Sequence, residues 1–365
     1  MTVTPVTRSQ RHGGDIIDCD IHPAMESLAA LDPFLSQHWR KHLATYGEHV
    51  RQAMSKTLSY PRMQPANARG DAWPPGGGPP GSDLAFMRKH HLDAHKIAFG
   101  ILMPLRPAAA SQRNPAFGAA LCTAVNDWQI EAWTRPEKRL KGSILVPQEE
   151  PDAAVAEITR QASNPDFVQI ALPPRTAEPL GKRRYWPIYR AAVEHGLPIG
   201  LHISGIGGHA TTGSGWPSFY IEDHQSNVQS AEAVVVSMVV EGVFEQFPAL
   251  KIVFIESGFA WVPALSWRLD KHWARLRDEV PHLKRAPSEY IREHIWYTTQ
   301  PIEEPEQPRH LLDLMSWVGW DRIMFSTDYP HWDFDDPKYA FKVPLTDEQR
   351  RLMFHGNAQT FYGLP

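Results

Sequence analysis

Eight short runs of β-branched and other apolar residues recur along the chain, with stretches of helical periodicity between them. The runs are Asp15 to Asp20, Lys96 to Met103, Leu140 to Val146, Phe167 to Leu172, Leu197 to His202, Lys251 to Glu256, Ile295 to Thr298 and Arg322 to Ser326. Several are apolar on both faces, as in Ile97-Ala98-Phe99 and Ile252-Val253-Phe254-Ile255, which suits strands buried between a core and covering helices. Helical patterns follow at Leu84 to Ala94, Ala116 to Thr134, Asp152 to Ser163, Tyr185 to Glu194, Ser226 to Phe247, Val262 to Val280, Glu306 to Val318 and Asp347 to Tyr362. Eight strand-helix pairs predict an α/β protein, a closed (β/α)8 TIM barrel. Closure leaves no strand edge to protect, whereas an open doubly wound sheet leaves two.

The 365 residues are expected to form a single domain, residues 1–365, because such barrels run past 250 residues as one unit. The extra length lies mainly in residues 23–83, an arm inserted after the first strand. Its Trp73-Pro74-Pro75-Gly76-Gly77-Gly78-Pro79-Pro80-Gly81 stretch excludes regular structure. A βα loop of that length belongs over the functional face.

Composition excludes several function classes. Thirty-seven basic against 41 acidic residues give a net charge of −4, the wrong balance for neutralising phosphates, so no nucleic-acid partner is expected. The longest apolar-rich run, around Ala233 to Val240, is short of the roughly 18 residues a bilayer span needs, and no signal-peptide core precedes the first strand. Cys19 and Cys122 cannot make a disulfide framework. A cytoplasmic protein is expected.

The chemistry stands at the strand ends. Asp20 and His22 lie two apart at the carboxyl end of the first strand and so project from one face, half of a divalent-metal site. The fifth strand ends in His202, the sixth in Glu256 and the eighth in Asp328. In a barrel these ends converge on one mouth. Four apolar strands that terminate in metal-competent side chains point to a metal centre rather than a bare scaffold.

These motifs, Asp18-Cys19-Asp20-Ile21-His22-Pro23, Gly242-Val243-Phe244-Glu245-Gln246-Phe247-Pro248 leading to Phe254-Ile255-Glu256-Ser257-Gly258, Phe325-Ser326-Thr327-Asp328-Tyr329-Pro330-His331 and Gly356-Asn357-Ala358, resemble the amidohydrolase superfamily. The likeness is to its amidohydrolase-related branch, similar to aminocarboxymuconate-semialdehyde decarboxylase, and it covers nearly the whole chain. It implies His22, His202 and Asp328 as ligands of one divalent ion. The family's first motif is more often His-x-His, so Asp20 brings an oxygen ligand. Zinc is the first expectation and manganese the alternative. A homodimer is also implied.

Decarboxylases of that branch commonly carry a histidine where this chain has Glu256, which tilts the expectation toward hydrolysis. The expected reaction uses a metal-activated water on a small acid, amide or lactone, aromatic or cyclic, with Asp328 as general base, His202 holding the metal and Glu256 assisting. The alternative is metal-dependent, non-oxidative decarboxylation of an aromatic or enoic acid with almost the same residues.

His209, His224, His331 and Trp216 are expected to touch substrate from the loops after the fifth and eighth strands. The arm's Trp39, Tyr60 and Trp73 suit an aromatic ligand. Asp333, Asp335 and Asp336 read as loop and cap residues, and His90, His91 and His95 as a solvated helix face. Gly205-x-Gly207-x-x-Ala210 lacks the strand-helix context of a dinucleotide site.

Overall fold

A computed structural model describes residues 16–48, 67–203, 210 and 212–365. Eight parallel strands run in sequence order: β1 (Ile16–Ile21), β2 (Ile97–Leu102), β3 (Leu140–Leu145), β4 (Phe167–Leu172), β5 (Ile199–His202), β6 (Ile252–Ile255), β7 (Ile295–Thr298) and β8 (Ile323–Met324). The barrel closes where Cys19 N donates to Phe325 O at 3.0 Å and His22 N to Tyr329 O at 2.7 Å. Every strand contributes a fully buried isoleucine: Ile17, Ile97, Ile144, Ile170, Ile199, Ile252, Ile295 and Ile323. Branching at Cβ favours the extended backbone, and each burial stabilises by roughly 1.5–3 kcal/mol, so the same residues select the strands and hold them against the helices.

β8 is shorter than expected because Phe325 N turns to Met353 O at 3.0 Å and Thr327 N to Asp18. The pattern read as one helix over Ser226 to Phe247 is a helix at Tyr220–Val240 and a short one at Val243–Gln246, broken at Gly242, whose φ of +79° few other residues adopt. The pattern from Val262 ends at Trp273, and a separate helix, Pro287–His294, escaped the sequence reading. Trp267 stays 59% exposed, its ring edge-on to Trp317. Cys19 and Cys122 are buried free thiols. Among the described residues no helix is long and apolar enough to cross a membrane.

The described parts of the arm hold a 3-10 turn, Leu28–Phe34, and a helix, Gln37–Tyr46, capped by Ser36. The Gly-Pro stretch is irregular yet anchored. Ala24 N donates to Gly81 O at 2.8 Å, and a Cβ on Gly81 (φ +79°) would stand 2.4 Å from His22 O, so only glycine fits against the end of β1. Arg69 N donates to Pro330 O and Trp332 N to Asn67 O, which ties the arm over the ends of β1 and β8.

Candidate metal centre

Alternation along β1 puts Asp18, Asp20 and His22 on one side. The two aspartates are fully buried and His22 nearly so. His22 Nδ1 lies 2.8 Å from Met103 O, so Nδ1 carries a proton and Nε2 is turned inward. Nε2 stands 3.3 Å from Asp20 Oδ1 and 2.7 Å from Asp328 Oδ1. His202 Nε2, at the end of β5, is 3.5 Å from Asp20 Oδ2 and 3.1 Å from Glu256 Oε2. Atoms of Asp20, His22, His202 and Glu256 thus lie within 4.8 Å of one another. Asp328 joins through His22 in a second group with His331, and Glu256 enters a third with His224 and Asp333.

Both oxygens of Asp20 and the Nε2 atoms of His22 and His202 are buried with no hydrogen-bond partner among the described residues. A buried carboxylate left this way is costly unless a positive charge meets it. Two imidazole nitrogens and converging carboxylate oxygens are a donor set that fits a divalent first-row ion.

Glu256, directly after β6, and Asp328, four residues past the end of β8, both adopt left-handed backbone, at φ +59° and +63°. Such a conformation costs of order 1–3 kcal/mol and persists only where neighbours enforce it. For Asp328 the enforcement is visible. Asp18 accepts Thr327 N at 2.9 Å and Thr327 Oγ1 at 2.6 Å, and His331 N donates to Asp328 O at 2.8 Å.

Charge is unevenly shared. Burial disfavours the Asp20 carboxylate, but His22 and His202 outweigh it and hold its pKa far below the usual range. Burial works against the His202 imidazolium, yet Asp20 and Glu256 raise its pKa to about 9. Asp328 is pushed well above the carboxylate range by burial and then by Glu256 and Asp333. Burial, reinforced by His22, lowers His331 to about 4, so this ring is neutral. It stacks on His22 at 4.4 Å with Nδ1 2.6 Å from Asp328 Oδ1.

The expected ligands Asp20, His22, His202 and Asp328 therefore meet at the mouth. Glu256 faces His202 and, at 3.8 Å, His224. His224 Nε2 lies 3.2 Å from Asp333 Oδ2, so Asp333 is a site residue rather than a loop cap. Trp216 is 44% exposed, with no ring contact to the cluster among the described residues. Trp73 is exposed too, and Trp39 packs on Phe117. His209 and Tyr60 lie outside the described residues. The solvated-face reading fails for His91, which is fully buried with Nε2 2.8 Å from Asp18 Oδ2. Gln300, whose Nε2 is 3.3 Å from Asp328 Oδ2, was not anticipated.

Residues 17–364 match the Amidohydrolase family, end to end across the barrel and its strand-end motifs. The chain belongs to the amidohydrolase family. Among its relatives, the amidohydrolase is 25% identical over 301 residues to a gamma-resorcylate decarboxylase from Polaromonas sp. (strain JS666 / ATCC BAA-500), covering 77% of this chain and 88% of that one. Its fold is shared with an amidohydrolase from Mycobacterium avium subsp. paratuberculosis K-10, with TM-score 0.74 and 21% identity over 97% of this chain and 99% of the other. It is also shared with a dihydroxybenzoic acid decarboxylase from Polaromonas sp. JS666, solved with bound manganese and 2-nitroresorcinol, with TM-score 0.65, 20% identity and coverage of 96% and 97%.

Proposed function

We propose that this amidohydrolase-family protein is a divalent-metal-dependent, non-oxidative decarboxylase of a hydroxylated aromatic acid. The observation that carries the reading is the Asp328 carboxyl, fully buried at the mouth beside the Asp20, His22 and His202 donors and oriented by His331, whose Nδ1 lies 2.6 Å from its Oδ1. Decarboxylation needs a proton donor at that place, whereas hydrolysis needs an ionised base. Glu256, which tilted the sequence reading toward hydrolysis, is engaged by His202 and His224 and so serves better as a holder of imidazoles. The decarboxylases among the relatives support the same choice.

A cation held by Asp20, His22 and His202, with Asp328 beside it, would supply a positive centre that fixes and polarises the substrate's carboxylate and hydroxyl oxygens. Manganese is favoured over zinc by the carboxylates in the donor set and by the manganese in a structural relative. Asp328 gives its proton to the ring carbon that bears the carboxylate. The bond between that carbon and the carboxyl carbon then breaks, its electrons return to the ring, and carbon dioxide leaves. His331 Nδ1, at 2.6 Å, orients the carboxyl, and solvent returns the proton that Asp328 has given up.

The test is a panel of hydroxybenzoates, esters, amides and lactones offered to manganese-loaded protein. Carbon dioxide and the matching phenol are expected from the hydroxybenzoates. Hydrolysis of an ester, amide or lactone with no carbon dioxide from any acid would overturn the proposal.

A further inference from the structure

Beside the metal centre, over the ends of β2, β3 and β4, lies a cavity of about 60 Å³. Met103, Leu105, Ala109, Leu145 and Ala171 are among its walls, and His202 reaches it from the metal side. The lining is mainly apolar, with His202 and Ser111 its polar side chains, and a water needs two to four polar partners to settle in such a place. The size is equally restrictive. An apolar cavity of about 150 Å³ holds a benzene ring, so this one takes a group of a few heavy atoms and not a second ring.

We propose that this cavity is a specificity subsite for a small apolar substituent, an alkyl or alkoxy group, on the aromatic acid. The inference rests on the decarboxylase reading and narrows its substrate class. With the carboxylate end of the substrate at Asp20, His22 and His202, a ring lying against His202 directs one of its edges toward the Met103 to Ala109 loop. The alanines at 109 and 171 leave room there that a larger side chain would fill.

The experiment measures binding by calorimetry of 2,6-dihydroxybenzoate and of derivatives with methyl, methoxy, ethyl or phenyl at each remaining ring carbon, on manganese-loaded protein, with carbon dioxide release followed in parallel. At one ring position affinity should rise about fourfold for each buried methyl or methylene, and phenyl should gain nothing. Ala171→Leu and, separately, Ala109→Leu should bring the ratio of ethyl to parent acid within twofold of one. A flat series, no binding by any member, or an unchanged ratio in a variant that melts like the wild type would overturn the inference. Should a variant fail to fold, the series on the unaltered protein still decides. Carbon dioxide release with a flat series removes this inference alone, and a graded series without carbon dioxide removes the decarboxylase reading alone.

Discussion

Asp18 and Asp20 are two residues apart on β1, both fully buried, and have opposite hydrogen-bond fates. Asp18 is saturated by Thr327 N, Thr327 Oγ1 and His91 Nε2, while neither oxygen of Asp20 has a hydrogen-bond partner among the described residues. One carboxylate builds the barrel seam, and the other is left for a cation.

Asp20→Asn removes the charge from the donor set. Manganese affinity, read by competition with a fluorescent chelator, should fall by about a hundredfold or more. An unchanged affinity would remove Asp20 from the ligand set.

Asp18→Asn acts on stability instead. Asparagine keeps one acceptor oxygen but puts an amide nitrogen in place of Oδ2, so Thr327 Oγ1 and His91 Nε2 lose their acceptor, at a cost of about 1–3 kcal/mol in urea unfolding. His91→Phe keeps the stack on Tyr329, 4.4 Å between ring centres, and deletes one bond. Because the two residues touch, the double variant should cost less than the two singles added together, by at least about 0.5 kcal/mol. Strict additivity would show that the pair is uncoupled.

Asp335 gives a pH signature. Its carboxyl accepts Ile302 N at 3.1 Å, and burial pushes its pKa up to about 7, against roughly 3.9 in an unfolded chain. The folded state therefore binds this proton more tightly. The stability it brings is complete below about pH 4 and is lost as pH rises through 7, with a slope of at most about 1.4 kcal/mol per pH unit. Asp335→Asn should remove that slope, so its melting temperature relative to wild type should climb between pH 4 and 8. A difference that stays constant with pH would contradict the assignment.

Asp328→Asn keeps the shape of the side chain and deletes the acid. Turnover of a hydroxybenzoate should drop by about 10²–10⁴ while the acid still binds. Turnover within a few-fold of wild type would place the proton donor elsewhere.

The barrel and the inner residues Asp20, His22, His202, Glu256 and Asp328 are legible in the sequence because strand periodicity and strand ends are local signals. Ile252-Val253-Phe254-Ile255 reads as a buried strand, and Glu256 must then stand at its mouth. What stays hidden depends on pairs distant in sequence. The bond from Asp18 to Thr327 spans 309 positions, and Asp333 reveals its role only once β8 sets it against His224 on another element. His91 was misplaced for a local reason. The helix that begins at Leu84 widens to π-helical geometry over Arg88–Asp93, so a face counted at 3.6 residues per turn points the wrong way.

The most direct measurement follows the reaction in D2O with manganese-loaded protein and a hydroxybenzoate, reading carbon dioxide by mass spectrometry and the phenol by NMR. One carbon dioxide is expected per phenol, and one deuterium at the ring carbon that had borne the carboxylate. Both should disappear after chelation and return with added manganese. An aromatic acid recovered with its carboxylate intact, while an ester, amide or lactone is cleaved by the same preparation, would contradict the decarboxylase reading.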